Sequence, residues 1–230
     1  MKEDHSEIVK KHFEKKYYDY DRLILELVPK YEEMQRNIID LFDFPKDKNL
    51  SILDLGVGTG QTASLLLKKF PNSKLDGVDI SPKMIEQAKI RLKDFSSRIN
   101  LIENDVANLQ IEKKYDACIS VLCLHHLNEN QKPLIFKKIY NSLNNGGVFV
   151  IGDLIKFDSE KLTKEKEGEW KNYIFRNFGE KEGKYWFEIY REQDLPSTVS
   201  DQLRWLEELG FRGVECAWEH MNYAVIVGRK

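Results

Sequence analysis

The stretch Leu50-Ser51-Ile52-Leu53-Asp54-Leu55-Gly56-Val57-Gly58-Thr59-Gly60 constrains this chain more than any other. Its apolar start reads as a short buried strand running into a glycine-rich turn. A helical pattern, Gln61 to Phe70, follows at once, and Pro71 stops it. Glycine at alternate positions lets the backbone turn tightly and approach a ligand closely, because no Cβ intervenes. The helix start behind the turn offers unpaired N–H groups to a polar or anionic ligand. A second strand, Leu75-Asp76-Gly77-Val78-Asp79-Ile80, ends in an acid about 25 residues after Asp54, where a carboxylate can accept hydrogen bonds from a ribose diol. The pairing points to a nucleoside-containing cofactor on an α/β sheet.

The rest of the chain supports that sheet. Residues Ser6 to Phe44 carry apolar side chains at helical spacing, with Pro29 separating two helices. From Pro45 onward, strand and helix alternate. Ser81-Pro82 makes a helix start, with serine as N-cap and proline at the first helical position. Strands are expected at Ile99–Asn104 and Ala117–Leu124, the latter apolar enough to be buried on both faces. A helix over Gln131–Leu143 ends at Asn144-Asn145-Gly146-Gly147, and Val148–Ile151 forms the next strand. Helix Ser200–Leu209 and strands Val214–Glu219 and Tyr223–Gly228 close the chain. This alternation calls for a mostly parallel sheet with helices on both faces.

The segment from about Lys156 to Pro196 breaks the rhythm. It is rich in Lys, Glu and aromatic residues, and is expected to form helices over the carboxyl edge of the sheet. Both a packed cap and a substrate-facing lid are compatible with it; ligands in such folds bind at that edge. The expected organisation is an N-terminal helical cap over 1–45 and a main domain over 46–230, with the lid inserted at about 156–196.

Composition narrows the partners. The 230 residues carry a net charge of −2, which leaves no electrostatic footprint for nucleic acid. No apolar run is long enough to cross a membrane, and the charged start Met1-Lys2-Glu3-Asp4-His5 does not read as a secretory signal. Three cysteines, Cys118, Cys123 and Cys216, form no C-x-x-C pair and read as reduced thiols of a cytoplasmic protein. A small-molecule partner suits this balance, and a homodimer is compatible with it.

Two nucleotide sites compete for the glycine loop. A dinucleotide fingerprint, G-x-G-x-x-G, needs glycine at position 61, which is Gln61. The spacing present is G-x-G-x-G, preceded by Asp54. That pattern resembles the first motif of class I S-adenosylmethionine-dependent methyltransferases. The resemblance implies a Rossmann-like, seven-stranded, mostly parallel sheet with an antiparallel last strand, and S-adenosyl-L-methionine as cofactor. It implies that Asp54 orients the loop by accepting backbone N–H bonds and lies near the cofactor's ammonium, with Gly56, Val57 and Gly58 against its amino-acid part. Asp79 would bind the ribose and Ile80 would pack beside the adenine. Asp105 would accept from the adenine amino group, with the Val106 N–H facing a ring nitrogen; a turn cap is the other role open to Asp105. Val121 would meet the cofactor through its backbone.

The pair His125-His126 lies at the end of the central strand. A helix cap or core histidine is one reading, an acceptor-side polar group another, with His126 the better candidate for the latter. No metal is expected, because adjacent histidines seldom converge on one ion and no Cys/His/Asp cluster is evident in the sequence. Further similarity, in Tyr17-Tyr18-Asp19, Val28-Pro29-Lys30-Tyr31, Gly146-Gly147, Leu209-Gly210-Phe211 and Trp218 through Val225, is to the carboxy-S-adenosylmethionine synthase branch, which makes a carboxylated cofactor for wobble-uridine modification of tRNA. By that similarity Tyr31 would reach the cofactor from the N-terminal helix. The branch holds the carboxylate with a lid arginine, and Phe187 occupies the aligned position here, with Arg191 one turn away. Ordinary methyl transfer to a small molecule is therefore the expected activity. The synthase reaction is one alternative, and a cofactor-binding accessory protein without chemistry is another.

Overall fold

The computed structural model describes residues 20–230, together with His5, Glu7, Ile8 and Lys10. The expected features at Ser6, Phe13 and Tyr17-Tyr18-Asp19 lie outside the described residues. Helix α1, Tyr20–Leu27, and helix α2, Tyr31–Asp40, flank Pro29, as the sequence predicts. Lys30, with φ 58°, makes the bend between them.

The sheet then builds from β1 (Ser51–Leu55), α3 (Gln61–Lys69), β2 (Lys74–Asp79), α4 (Pro82–Arg91), β3 (Ile99–Glu103) and β4 (Tyr115–Val121). Ser81 caps α4 by accepting from the Met84 N–H, with Pro82 at the first position. Helix α5 (Gln131–Ser142) leads to β5 (Leu143–Lys156). A long helical segment, α6 (Glu160–Gln193), is broken at Gly179, whose φ of 77° and ψ of 175° interrupt the helix. The chain closes with β6 (Ser197–Thr198), α7 (Val199–Leu209), β7 (Arg212–His220) and β8 (Tyr223–Arg229).

The strand order is β3-β2-β1-β4-β5-β8-β7, with two-residue β6 paired to the end of β5. Strands β1 to β5 are parallel, and β8 runs antiparallel between β5 and β7. This is the expected sheet, with short β6 as an eighth strand. Helices α2, α3 and α4 bury Ile38, Leu66 and Ala88 on one face, and α5 and α7 bury Phe136, Ile139 and Leu206 on the other. A parallel strand covered on both faces must be apolar throughout, and Ala117, Cys118 and Ile119 of β4 are fully buried.

Two boundaries differ from expectation. The Asn144–Gly147 turn lies within β5, where Gly146 takes φ 78° and the pairing with β4 shifts register between Tyr115 and Ala117. The bulge absorbs the turn, so the strand is not ended by it. Strand β4 stops at Val121 rather than Leu124. Leu122 has φ 51° while its N–H donates to the Gly152 carbonyl, and Leu124–His126 coil into a 3-10 turn.

Candidate functional site

The glycine loop is held by β2. The N–H groups of Gly56 and Val57 both donate to the Val78 carbonyl, at 2.8 and 2.9 Å. The Gly58 N–H donates to Asp79 Oδ2 at 2.9 Å, and the Ser81 N–H to Asp79 Oδ1 at 2.9 Å. Gly56, Gly58 and Gly60 take φ of 77°, 54° and 81°, which residues with a Cβ adopt at a cost. Gly56 also presses on the turn that follows β4: a Cβ there would lie 2.4 Å from the Cys123 Cβ.

These elements enclose a cavity of about 680 Å³, bordered by Gly56, Gly58, Asp79, Ile80, Asp105, Val106, Val121 and His126. An adjoining recess of about 350 Å³ is bordered by Tyr31, Asp54 and Val57, and shares Gly56, Gly58 and Val121 with the first. Every residue expected at the cofactor thus borders one of two neighbouring spaces. Tyr31 donates to Gln61 Oε1 at 2.6 Å and accepts from Gln35, which ties α2 to the start of α3.

Two roles differ in detail. Asp54 does not hold the loop: the Gly58 N–H goes to Asp79, and Asp54 Oδ2 is buried with no hydrogen-bond partner among the described residues. Asp105 caps the following turn, accepting from the Ala107 N–H at 2.9 Å and from Asn108, while it also borders the cavity. The turn-cap role is thus the one its hydrogen bonds show.

Burial pushes the Asp54 carboxyl up to about 7, with the Asp79 charge adding to it. Asp79 is raised to about 6 by burial, against the hydrogen bonds it accepts from Ser81, Gly58 and Ile80 N–H groups. Because the folded-state pKa of Asp54 lies above its ordinary value, the ligand-free fold loses stability as pH rises from 3.8 through about 7. Asp54→Asn removes that loss. Its stability advantage over the wild type is expected to grow by roughly 2 kcal/mol between about pH 5.5 and pH 8. Urea denaturation of both proteins at the two pH values measures this; an advantage independent of pH would contradict the elevated carboxyl.

A second cavity, of about 790 Å³, lies between α1, α6 and the strand ends. Its walls are largely aromatic and aliphatic, with Trp170, Trp186, Tyr190 and Tyr223 prominent, and its polar members include His125, His126, Gln193 and Asp194. Tyr20, Leu122 and His126 border both this cavity and the larger cavity at the glycine loop. The Trp170 indole donates to the Leu27 carbonyl at 2.8 Å, fixing α6 against α1.

The floor of this cavity carries a charged cluster. His125 Nδ1 pairs with Asp153 Oδ1, and the His125 N–H of the backbone donates to Asp153 Oδ2 at 2.9 Å. Burial lowers the His125 pKa, but Asp153 and Asp194 outweigh it and the net shift is upward. Asp194 is pushed up to about 6 by burial, and Lys132, donating to the Leu195 carbonyl and Ser197 Oγ, is brought down to about 8 by burial. Sequence reasoning found neither acid. Asp153 left a signal, a lone charge inside the apolar run Val148–Ile155. Asp194 left none, since only the return of the chain after α6 brings it to the histidines. The His/Asp cluster that is not evident in the sequence is assembled by that contact.

Comparisons with known proteins agree with this geometry. Residues 52–147 match the family described as a methyltransferase domain. The chain is 24% identical to the carboxy-S-adenosyl-L-methionine synthase of Campylobacter lari, over 97% of this chain and 99% of that protein. It is 38% identical to malonyl-[acyl-carrier protein] O-methyltransferase 1 of Ilyobacter polytropus, over 51% of this chain and 44% of that one. In fold it is similar to phosphoethanolamine N-methyltransferase 2 of Haemonchus contortus in complex with S-adenosyl-L-methionine, with a TM-score of 0.73 at 16% identity, covering 99% of this chain and 60% of that one. The glycine loop between β1 and α3, the strand order and these likenesses together support a class I S-adenosylmethionine-dependent methyltransferase.

Proposed function

We propose that the protein transfers a methyl group to a small neutral or cationic molecule bound in the aromatic cavity. The observation that carries this reading is the adjacency of the two cavities, which share Tyr20, Leu122 and His126. The site residues fit the cofactor. Asp54 Oδ2, buried and without a hydrogen-bond partner among the described residues, suits an ammonium beside the glycine loop. Asp79 retains lone pairs for a ribose diol, and Ile80 and Val106 offer apolar surface to an adenine. Bound there, S-adenosylmethionine would supply an electrophilic methyl on its sulfonium.

The protein's own part is alignment and exclusion of water, which lower the barrier of a displacement without an obligatory acid or base. Leu122 and Tyr20 would hold the acceptor in line. The aromatic walls from α6 would cover it, so 156–196 acts as a lid and 1–45 as a cap over the domain 46–230. Aromatic faces and Asp194 favour neutral or cationic acceptors over anions. We place the protein in the cytoplasm on its unpaired thiols, with no direct role in nucleic-acid binding; among the described residues no helix is long and apolar enough to cross a membrane.

The full-length similarity to the synthase favours a second reading, in which the product is a carboxylated cofactor. Against it, no lysine or arginine is among the described residues bordering the glycine-loop cavity or the aromatic cavity. Phe187 packs between Trp170 and Tyr190, and Arg191 is exposed. A carboxylate closed into that space without a cation costs several kcal/mol. The test is incubation with S-adenosylmethionine and either prephenate or panels of amines, thiols and hydroxyl compounds, read by mass spectrometry. Methylated acceptor and S-adenosylhomocysteine are expected, and no carboxylated cofactor. Accumulation of the carboxylated species would replace this reading with the synthase.

A further inference from the structure

The cluster on the floor of the second cavity has the layout of a metal centre. Asp194 Oδ1 lies 3.7 Å from His125 Nε2 and 3.4 Å from His126 Nδ1. Both separations exceed the usual 2.7–3.2 Å of an N–H···O hydrogen bond. They are close to the edge of a zinc tetrahedron, about 3.3 Å when each bond is about 2.0–2.1 Å. One ligand atom from each of the three side chains lies within 4.8 Å of the other two.

The surroundings have the form such centres take. His125 Nδ1 is committed to Asp153, so its Nε2 is turned toward Asp194. A carboxylate on the far nitrogen of a ligating histidine fixes its tautomer and raises its basicity. Asp153 is itself oriented by the backbone N–H groups of His125 and Leu154. With the Nδ1 proton toward Asp153, a lone pair on Nε2 faces a carboxylate oxygen, and a positive charge belongs between them. A proton or a metal ion can supply it.

We propose that His125, His126 and Asp194 bind one divalent ion of the zinc type, with Asp153 as the partner that orients His125. Two imidazoles and one carboxylate select a borderline cation over magnesium or calcium. All three ligands border the second cavity, and His126 also borders the first. A three-ligand centre keeps its fourth position open, as catalytic zinc sites do. Here that position faces the acceptor space, where a hydroxyl, thiol or amine could complete the coordination. The ion site stands on geometry alone; its role toward an acceptor rests on the reading of the second cavity given above.

The experiment is a metal titration of the full chain after chelator treatment, with cobalt(II) as the optical probe and zinc(II) in competition. The expected result is one cobalt ion per chain, with the intense visible bands of a tetrahedral site and no thiolate charge transfer from the nearby Cys123. Asp194→Asn and His126→Ala should each weaken binding at least a hundredfold, and Asp153→Asn about tenfold to a hundredfold. His220→Ala, on β7, should leave it unchanged. Circular dichroism and an S-adenosylhomocysteine titration show that each variant folds. A stripped wild-type protein that takes up no cobalt, or takes it up equally in Asp194→Asn and His126→Ala, overturns the site and leaves a proton as the bridging charge. Methyl transfer by a metal-free protein would refute the ion's role while leaving the methyltransferase reading in place.

Discussion

Asp79→Ala should lower affinity for S-adenosylhomocysteine about a hundredfold or more. Two charge-assisted hydrogen bonds to a ribose are each worth about 1.5–3 kcal/mol, and 1.4 kcal/mol is one decade. The carboxylate also organises the loop. It accepts from the N–H groups of Gly58 and Ser81, so its removal leaves two backbone donors of the cavity wall without their partner. Stability of the ligand-free protein should fall by less than those two lost bonds alone would imply, because burial already disfavours the charge and holds the carboxyl up to about 6. Asp79→Asn keeps one acceptor oxygen and should fall between the two. Calorimetry decides the matter: an alanine variant that binds as tightly as the wild type removes Asp79 from the site.

The second large effect is at Gly56. Alanine there meets two penalties. The φ of 77° costs a residue with a Cβ about 1–2 kcal/mol. The new methyl also falls 2.4 Å from the Cys123 Cβ, an overlap worth typically about 1–3 kcal/mol. The expected loss is about 2–5 kcal/mol, with the cofactor site distorted because Gly56 and Cys123 both border it. Gly146 separates the two contributions. It has nearly the same φ, 78°, and open space where a Cβ would go. Gly146→Ala should therefore show the backbone cost alone. Adding Cys123→Gly to Gly56→Ala should recover the overlap and not the strain. A denaturation series on these three variants that finds equal losses at Gly56 and Gly146 would show that Gly56 and Cys123 are not in contact.

The glycine-loop half of the candidate site is legible in the sequence because it is local. Gly56, Gly58 and Asp79 sit at the ends of adjacent strands, and strand–turn–helix punctuation announces both. Tyr31, Asp105 and Val121 followed from the resemblance, at strand or helix ends that the pattern had already placed. Asp54 borders the recess, but the Gly58 N–H goes to Asp79, because which carboxylate accepts it depends on a bond between strands. The acceptor half was obscure. Leu27 and Trp170 meet across 143 residues, and Asp194 reaches His125 only because α6 folds back on itself. Such contacts have no periodicity to read. The end of β4 was missed for a related reason: Leu122 takes a positive φ that its residue type gives no hint of, held by Gly152 on the neighbouring strand.

The position of α6 has a consequence for how this protein can change. Trp170, Trp186, Tyr190, Gln193 and Asp194 all come from the one segment between β5 and β6, whereas the glycine loop and Asp79 belong to β1 and β2. The sheet closes around that segment, with β8 returning to pair with β5. Doubling the length of such a connection costs only about 0.6 kcal/mol in closure entropy. A different insertion between the same two strands would then give the acceptor a different room and leave the donor's seat intact. Exchanging this one contiguous stretch among relatives is thus a direct way to alter which molecule is modified, with no compensating change among the first five strands.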